Sequence, residues 1–326
     1  MKITDYALVS TLAANNVLLV DGAGGTKTIF AKDLLKALAE AGNAKDYLTV
    51  MNVAALTRST AVAKTDKLML NTSAGNKGIT VDDALWAVLD ACAPLELRKN
   101  TFRGKNLGAA LTSEQKTNIV NGTFKGFFLG DYWEIGGRVW RIVDMDYWWN
   151  SGDTACTTHH LVVMPDSQLY TAQMNETNIT TGGYVGSKMY TENLENAKTL
   201  VYAAFGETAI LKHREYLTNA VSNGYPSAGA WYDSKVELPN EIMMYGSLVF
   251  TPAGDGSFVP NRYTIDKTQL ALMAAHPRYI NPGRYWYWLR DVVSGTLFAV
   301  VGSLGTAHYT DASNSGGVRP VFGVIG

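Results

Sequence analysis

Apolar and polar positions alternate on both sides of a glycine pair near the middle of the chain. Within residues 127–144, Trp133 and Ile135 before the pair and Val139, Trp140 and Ile142 after it supply the apolar positions, a pattern typical of strands with one buried face. Gly136-Gly137 separates the two runs, and a glycine pair favours a two-residue hairpin turn. The pattern predicts a β-hairpin, followed by a short buried strand at 161–165.

Three later segments have the residue spacing of amphipathic helices. They are 195–205, 212–222 and 266–275. The chain then ends in an aromatic-rich strand, Tyr285–Leu289, and further β-structure. Helices set within an antiparallel frame that closes late predict an α+β domain over about 123–326.

The N-terminal part of the chain contains an ungapped internal repeat at an offset of 50 residues. Identical residues stand in the pairs Leu18/Leu68, Gly25/Gly75, Lys27/Lys77, Ile29/Ile79, Asp33/Asp83, Leu35/Leu85, Ala37/Ala87 and Ala41/Ala91. Each copy, about 10–42 and 60–92, has the pattern of a strand, a glycine-containing turn, a short strand and an amphipathic helix. We therefore predict two small ββα repeats.

Two units of this size bury little surface by themselves. We expect them to pack on each other, on a neighbouring subunit or on a larger assembly, so residues 1–95 are interpreted as an attachment or assembly module. Residues 96–122 are interpreted as a linker with one short helix, because Thr112 and Gln115 have the spacing of a capping box. The predicted fold class is α+β, with the two ββα repeats followed by a larger α+β domain.

The charge balance excludes some partners. The chain has 28 Lys and Arg against 29 Asp and Glu, so it lacks the basic surface that binds nucleic acid or anionic membranes. No apolar run reaches the length of a membrane span, and polar residues interrupt the N-terminus where a signal peptide would be apolar. We expect no nucleic acid, no membrane insertion and synthesis in the cytoplasm. Because only Cys92 and Cys156 are present, the options are a reducing compartment or one isolated bridge.

Residues 281–326 combine aromatic strand formers with small polar residues. Arg290 and Arg319 stand inside apolar strands, where an unpaired charge would cost about 3–5 kcal/mol, so both are predicted to be paired residues of the frame. Polar and aromatic positions around them are the predicted ligand-binding set, because paratope-like surfaces use such side chains. The set is Tyr287, Asp291, Ser294, Thr296, Ser303, Thr306, His308, Tyr309 and Asp311. The alternative is that these are simply exposed turn residues.

Residues 17–28 resemble a phosphate-binding loop between a strand and a helix. That motif requires Gly directly before Lys, whereas Thr26 precedes Lys27 here. A short strand also stands between this loop and the predicted helix. A hairpin turn is therefore the preferred interpretation.

Other clusters supply only part of a metal site. Cys156 and His159 have zinc-like spacing and His160 follows, but a closed zinc site needs four ligands and no second cluster accompanies this one. Four acidic residues that could bind calcium lack the spacing of a calcium loop; they are Asp144, Asp146, Asp153 and Asp311. We therefore predict no metal and no cofactor.

His213 and Glu215 form a candidate general-base pair, because histidine titrates near neutrality. No serine or cysteine nucleophile is linked to them by a local motif. A helix over 212–222 would place Lys212, Arg214 and Glu215 on an ordinary solvated face. We therefore predict no catalytic residues and a protein that is not an enzyme.

Residues 123–326 resemble the C-type-lectin-like domains of phage and bacterial display proteins. The resemblance is carried by Gly137–Ile142, Trp286–Arg290 and Gly317–Phe322. The same frame is similar to formylglycine-generating enzymes and to the variable proteins of diversity-generating retroelements, such as the phage major tropism determinant. Residues 3–6 and 20–28 also look like the openings of phage fibre proteins.

The resemblance implies a phage virion fibre protein, of the head or the tail. Its residues 1–95 would bind other virion proteins, and its C-terminal domain would bind a host-surface glycan or protein. By family analogy the fibre is a homotrimer exposed on the particle. One alternative is a capsid-decorating head fibre without a dedicated receptor. The other is an enzyme of the formylglycine-generating type, but the cysteine pair that the resemblance implies has no counterpart after Cys156.

Overall fold

The computed structural model describes residues 17–22, 25–30, 67–72, 75–217, 221–222, 225–226, 229–252 and 268–326. Within them the protein is a mixture of helix and sheet. The chain divides into two compact units, Met1–Ala93 and Pro94–Gly326. The segment 96–122, predicted as a linker, therefore belongs to the second unit.

The first unit contains a four-stranded antiparallel sheet. Its strands are β1 Val17–Gly22, β2 Gly25–Phe30, β3 Lys67–Thr72 and β4 Gly75–Thr80. The order is β2-β1-β3-β4, so two hairpins meet along β1 and β3. Strands β1 and β2 thus pair as a hairpin, which confirms that interpretation over a phosphate-binding loop.

A helix, Val81–Cys92, follows β4 directly. The Thr80 hydroxyl accepts a hydrogen bond of 3.1 Å from the backbone N–H of Asp83 and caps its first turn. The acidic side chains of Asp82 and Asp83 lie in that turn, where the helix dipole favours negative charge. The helix predicted for the first copy, around residues 34–38, lies outside the described residues.

The second unit has fourteen of the described strands. They are β5 Tyr132–Ile135, β6 Arg138–Met145, β7 Leu161–Pro165, β8 Tyr170–Ala172, β9 His213–Leu217, β10 Val221–Ser222, β11 Tyr225–Pro226, β12 Ala230–Ser234, β13 Val236–Glu237, β14 Tyr287–Val292, β15 Leu297–Val301, β16 Ala307–Asp311, β17 Gly316–Val318 and β18 Val321–Val324. Two five-stranded sheets, ordered β13-β18-β7-β6-β5 and β16-β15-β14-β17-β8, form its frame.

Short helices surround these sheets. The α-helices are Leu95–Asn100, Ser113–Val120, Leu194–Phe205, Glu241–Tyr245 and Ala271–Ala275. A π-helical turn, Met189–Asn193, precedes the longest of them, and 3₁₀ turns lie at Glu207–Ala209 and Pro277–Tyr279. Among the described residues, no helix is both long enough and apolar enough to span a membrane.

The central strands of the two large sheets bury side chains on both faces, so these strands alternate between two apolar cores. On β7, Leu161 and Val163 belong to the first core, and Val162 and Met164 belong to the second core. Strands β14, β15 and β18 divide in the same way. This explains why residues 161–165 are apolar throughout rather than alternating. A strand held on both faces forms a rigid frame.

Three predicted elements meet in the first core. Trp140 of the β5–β6 hairpin contacts Phe205 and Phe322 edge-to-face, with ring centroids 5.8 Å apart in each pair. Phe205 ends the predicted helix at 195–205, which the structure places at Leu194–Phe205. Gly136 and Gly137 both have positive φ, as the predicted glycine turn requires. The hairpin and this helix are confirmed.

The segment 94–122 packs against the β5–β6 hairpin. Arg103 donates to both carboxylate oxygens of the buried Asp131, through Nε at 3.0 and 3.1 Å. Thr112 and Gln115 form the predicted capping box, and Ile119 of that helix is fully buried in the first core. These contacts explain why the segment belongs to the second unit rather than linking two units.

The predicted helix at 212–222 is wrong. Residues 213–217 form β9, which pairs antiparallel with β12. His213, Glu215 and Leu217 point inward and Arg214 and Tyr216 are half-exposed, a strand period of two. The predicted helix at 266–275 is shorter in the structure, where Ala271–Ala275 is helical and residues 266–267 lie outside the described part.

Candidate functional site

The predicted ligand set lies mainly on β14, β15 and β16, an antiparallel meander at one edge of a five-stranded sheet. The turn at 293–296 joins β14 to β15, and the turn at 302–306 joins β15 to β16. Consecutive turns of such a meander lie at opposite ends, roughly 14 Å apart for a five-residue strand. The predicted set therefore divides into two groups rather than forming one surface.

Ser294, Thr296 and Asp311 lie at one end. Asp311 pairs with Leu297 at the start of β15, and the backbone N–H of Thr296 donates to the Ser294 hydroxyl at 3.3 Å. The backbone N–H of Ala312 donates to the Thr296 carbonyl at 3.0 Å and closes the end of the pairing. Thr296 is exposed, and the other two predicted residues are half-buried. The structure brings these three together.

Ser303 and Thr306 lie at the opposite end, in an exposed turn. The backbone N–H of Gly302 donates to the Thr306 carbonyl at 2.7 Å, which closes this turn. Leu304 at its tip is 80% exposed, so the tip is apolar rather than polar. This end supplies exposed hydroxyl groups from Ser303 and Thr306.

His308 and Tyr309 stand between the two ends on the edge strand β16. They are consecutive, and their rings are tilted against each other with centroids 5.4 Å apart. The Tyr309 ring meets Phe250 edge-to-face at 4.9 Å. His308 Nδ1 lies 2.7 Å from the Tyr309 carbonyl oxygen. Both side chains are exposed, and their rings lie against each other on the edge strand.

Tyr287 and Asp291 bond to neighbouring elements of the frame, and the burial of Tyr287 corrects the prediction that its side chain is accessible to a ligand. Tyr287 is 1% exposed, and its hydroxyl donates to the Ile280 carbonyl at 2.5 Å; burial raises its pKa. Asp291 accepts the backbone N–H of Glu241 at 2.7 Å, at the start of the helix Glu241–Tyr245. Both residues serve the frame because their polar atoms bind neighbouring elements.

Arg290 and Arg319 are buried, paired residues of the frame, as predicted. The Arg319 guanidinium donates to the carbonyls of Pro165 and Ile280 at 2.7 and 2.6 Å and to the Tyr287 hydroxyl at 3.0 Å. Arg290 forms an ion pair with Glu215 in the interior. These bonds connect β14 and the residues before β18 to the rest of the unit.

A polar pocket of about 420 Å³ is lined by residues of the segment 175–192, which connects β8 to the helix Leu194–Phe205 in the chain. Its lining offers three threonine hydroxyls, two carboxylates and one ammonium group, from Thr177, Thr181, Thr191, Glu176, Glu192 and Lys188. Ile179, which is 54% exposed, is the apolar side chain of the lining. Small-molecule sites generally enclose about 300–1,000 Å³, so the pocket has the size of a ligand site.

The pocket is joined to the first end of the meander. Thr180, between two lining residues, donates through its hydroxyl to the Ser294 carbonyl at 2.6 Å and through its N–H to the Gly295 carbonyl at 3.1 Å. The N–H of Asn175 donates to the Ala312 carbonyl at 2.9 Å. The turn that carries Ser294 and Thr296 is therefore fixed to the pocket wall. The two together form the candidate site.

Sequence reasoning misses the pocket residues. The run from Asn175 to Lys188 is rich in Thr, Asn and Gly, and such composition predicts only a loop. One feature of the sequence does point to a binding role for this polar loop. The loop connects β8 to a helix that packs on the core, and binding residues are often loop residues held by a rigid scaffold.

The candidate general-base pair lies in the interior rather than on a solvated helix face. His213 Nε2 is 3.1 Å from Glu215 Oε1, and the Trp148 indole N–H donates to the same oxygen at 3.1 Å. Burial alone would raise the pKa of Glu215, but the charge of Arg290 and the bond to His213 outweigh it and lower that pKa to about 2. This carboxylate is a buried structural charge.

The histidines of the partial zinc cluster have protein partners. His160 is buried, with Nδ1 2.8 Å from the Thr158 carbonyl and Nε2 accepting the N–H of Trp148 at 3.1 Å. His159 Nδ1 lies 2.7 Å from the Asp146 carboxylate. Among the described residues, no group of three or more His, Cys, Asp or Glu is arranged to hold a metal ion. Cys92 and Cys156 are free thiols.

The acidic residues considered for calcium stand in separate surroundings. Asp144 forms an ion pair with Lys99 at 3.0 Å, and Asp153 pairs with Arg214 at 2.8 Å.

Comparisons with protein-family models, curated proteins and solved structures found no match to this chain. Its function is therefore inferred from its own residues and geometry.

Proposed function

We propose that this chain is a phage virion fibre protein that binds a saccharide or a protein on the host surface. Its first unit holds it on the particle and its second unit, a C-type-lectin-like fold, is displayed. The observation that carries the proposal is the polar pocket of residues 175–192, joined by Thr180 to the turn of Ser294 and Thr296. A polar recess on a rigid frame suits recognition, because the binding groups are held in place before the ligand arrives.

The surroundings of the pocket support binding rather than catalysis. The carboxylates with the largest pKa shifts, Glu215 and Glu237, are buried and do not line the pocket. Its own carboxylates, Glu176 and Glu192, are exposed. A general acid or base needs a tuned pKa next to the reacting bond, whereas a recognition surface needs accessible hydrogen-bonding groups.

The first unit supports the attachment role. Its two hairpins have strands of equal length, six residues each, and share one sheet. We propose that they belong to two ββα copies, consistent with the 50-residue repeat. A small core favours association with further copies, so the proposed assembly is a homotrimer. Native mass spectrometry of the full chain should give the trimer mass, and a monomer alone would oppose this.

Two measurements test the proposed function. Peptide mass spectrometry and antibody labelling of purified virions should find the chain on the particle surface. The full-length protein, applied to a saccharide array and to intact host cells, should bind at least one of them. Absence from virions would overturn the fibre assignment. Presence on virions with no binding to the array or to cells would overturn host recognition.

Exposed apolar residues on and beside β16 favour a second candidate, a capsid-decorating head fibre without a dedicated receptor. Phe250 and Tyr309 are 37% and 39% exposed, and Leu304 is 80% exposed. Such residues suit contact with another virion protein. If this candidate holds, Leu304→Ser combined with Phe250→Ser should reduce attachment to particles, while wild-type protein binds neither saccharides nor cells.

A further inference from the structure

We propose that the pocket of residues 175–192 takes a neutral or amino-bearing saccharide and disfavours acidic ones. This deepens the proposed host recognition and rests on it. Three features of the pocket favour such a ligand: its backbone wall, its hydroxyl-rich lining and its charge.

The wall of the pocket is formed by closely packed backbone. A Cβ added to Gly186 would lie 2.6 Å from the Cα of Gly182, so neither glycine can carry a side chain without movement of the backbone. The N–H of Gly186 donates to the Gly182 carbonyl at 3.0 Å, and the N–H of Gly183 donates to the Thr180 carbonyl at 2.7 Å. Because Thr180 is itself buried against the meander, this wall is formed before any ligand binds.

The lining matches a polyhydroxylated ligand. Asn175 shapes the recess, since its side chain accepts the N–H of Lys188 at 2.9 Å and donates to the Ile179 carbonyl at 2.7 Å. The hydroxyls of Thr177, Thr181 and Thr191 and the two carboxylates line the open side. Lipids and drug-like ligands usually occupy pockets with mostly apolar linings. Here one apolar side chain, Ile179, is available for the C–H face of a sugar ring.

The charges of the lining define which saccharides suit it. Glu176 and Glu192 carry two negative charges and Lys188 one positive charge, so the formal balance is −1. The Lys188 ammonium pairs with Glu176 and lies 4.0 Å from Glu192. The bond to Lys188 lowers the pKa of Glu176, which keeps it ionised at neutral pH. An acidic sugar would meet repulsion, whereas an amino group would gain attraction.

A basic peptide is the competing ligand for such a site. A lysine or arginine side chain can pair with the carboxylates, but it has no acceptor for the three threonine hydroxyls of the lining. A sugar hydroxyl both donates and accepts, so it can bond to the carboxylates and to the threonines and leave the Lys188–Glu176 pair intact. The saccharide is therefore the better fit, and a peptide becomes one outcome of the test.

Calorimetry on the full-length protein tests the inferred ligand class. The three matched probes are oligomers of N-acetylglucosamine, glucosamine and galacturonic acid, and a tetralysine peptide represents the competing ligand. We expect binding of one of the first two, and affinity for the galacturonic acid oligomer lower by about fivefold or more. Thr181→Trp should fill the pocket and abolish binding, whereas Ser303→Trp at the far turn should leave it unchanged. Glu192→Gln should reduce the preference for the amino sugar, with Glu195→Gln, outside the pocket, as its control.

Each other result has a definite meaning. Preference for the acidic oligomer, or for tetralysine, would overturn the inferred ligand class. Saccharide binding that survives Thr181→Trp in a folded protein would place recognition elsewhere, and the proposed function would stand. If these probes do not bind and neither the saccharide array nor host cells retain the protein, the proposed function itself fails.

Discussion

The Thr180 hydroxyl donates a hydrogen bond of 2.6 Å to the carbonyl oxygen of Ser294. These residues are 114 positions apart in the chain, and the bond joins the wall of the polar pocket to the β14–β15 turn. Thr180 is 1% exposed, so water cannot readily replace the bond. The candidate site depends on this junction because it holds two loops in one arrangement.

Replacing Thr180 by valine should therefore destabilise the second unit. Valine has a similar shape but no donor, which leaves the carbonyl of the half-buried Ser294 without this bond at a cost of about 1–2 kcal/mol. Urea unfolding measures the change. Thr199→Val, at an exposed helix position, is the matched control and should stay within about 0.5 kcal/mol of wild type. Equal stability of the two variants would contradict the junction.

Arg319→Met should lower the free energy of unfolding by about 3 kcal/mol or more. The change removes buried donors from Pro165, Ile280 and Tyr287, and each acceptor left unpaired has its own cost. Arg138→Met, at the tip of the β5–β6 hairpin, should have an effect below about 0.5 kcal/mol. If both variants unfold at the same urea concentration, Arg319 is not a central residue of the frame.

Glu237 should make the stability of the protein depend on pH. It is buried, and its carboxylate oxygens accept bonds from the Tyr184 hydroxyl at 2.7 Å and the Ser234 hydroxyl at 3.0 Å. Burial, followed by the negative charge of Glu215, raises its pKa to about 7. Its pKa in the unfolded chain is near 4.5, so between these values the folded protein binds a proton that the unfolded chain releases. This contribution to stability is full below pH 4.5 and is lost as pH rises through 7.

Glu237→Gln removes that dependence, because glutamine is neutral at every pH. The free energy of unfolding of the variant minus that of wild type should be larger at pH 8 than at pH 5 by roughly 2 kcal/mol. Urea unfolding of both proteins at the two pH values gives the difference. A gap between wild type and variant that is the same at pH 5 and pH 8 would contradict the raised pKa of Glu237.

His160 should act in the opposite direction on acidification. Burial lowers its pKa from 6.5 to about 3, and both ring nitrogens are engaged by Trp148 and Thr158 in the neutral form. A depressed pKa gives stability that is present above 6.5 and lost as pH falls toward 3. Between pH 7 and 4.5, His160→Gln should therefore lose less stability than wild type, by roughly 2 kcal/mol. The same loss of stability for His160→Gln and wild type over this pH range would contradict the lowered pKa of His160.

Local signals predicted the elements that depend on neighbouring residues. The Gly136-Gly137 turn requires positive φ, which glycine adopts without a steric cost, and the hairpin follows from it. The capping box of Thr112 and Gln115 likewise needs only residues three positions apart. The β9 strand was not predictable in this way, because its inward positions include His213 and Glu215 and so lack an apolar alternation.

The candidate site depends on long-range pairing, so the sequence indicated only part of it. Ser294, Thr296 and Asp311 meet because β15 pairs with β16, whereas Ser303 and Thr306 belong to the next turn of the meander. The division of the predicted ligand set into two groups could be inferred once an antiparallel meander is assumed, since successive turns lie at alternate ends of a meander. The pocket could not be inferred, because its loop has no apolar period and reaches the turn through side-chain and backbone bonds.

Binding of the labelled full-length protein to intact host cells tests the central claim most directly, with Thr296→Trp compared with Ser303→Trp. Both positions are exposed turn residues at opposite ends of the meander. If recognition takes place at the pocket end, wild type and Ser303→Trp should bind equally, and Thr296→Trp should bind at least about tenfold more weakly. Equal binding by all three proteins, or a loss confined to Ser303→Trp, would contradict the claim.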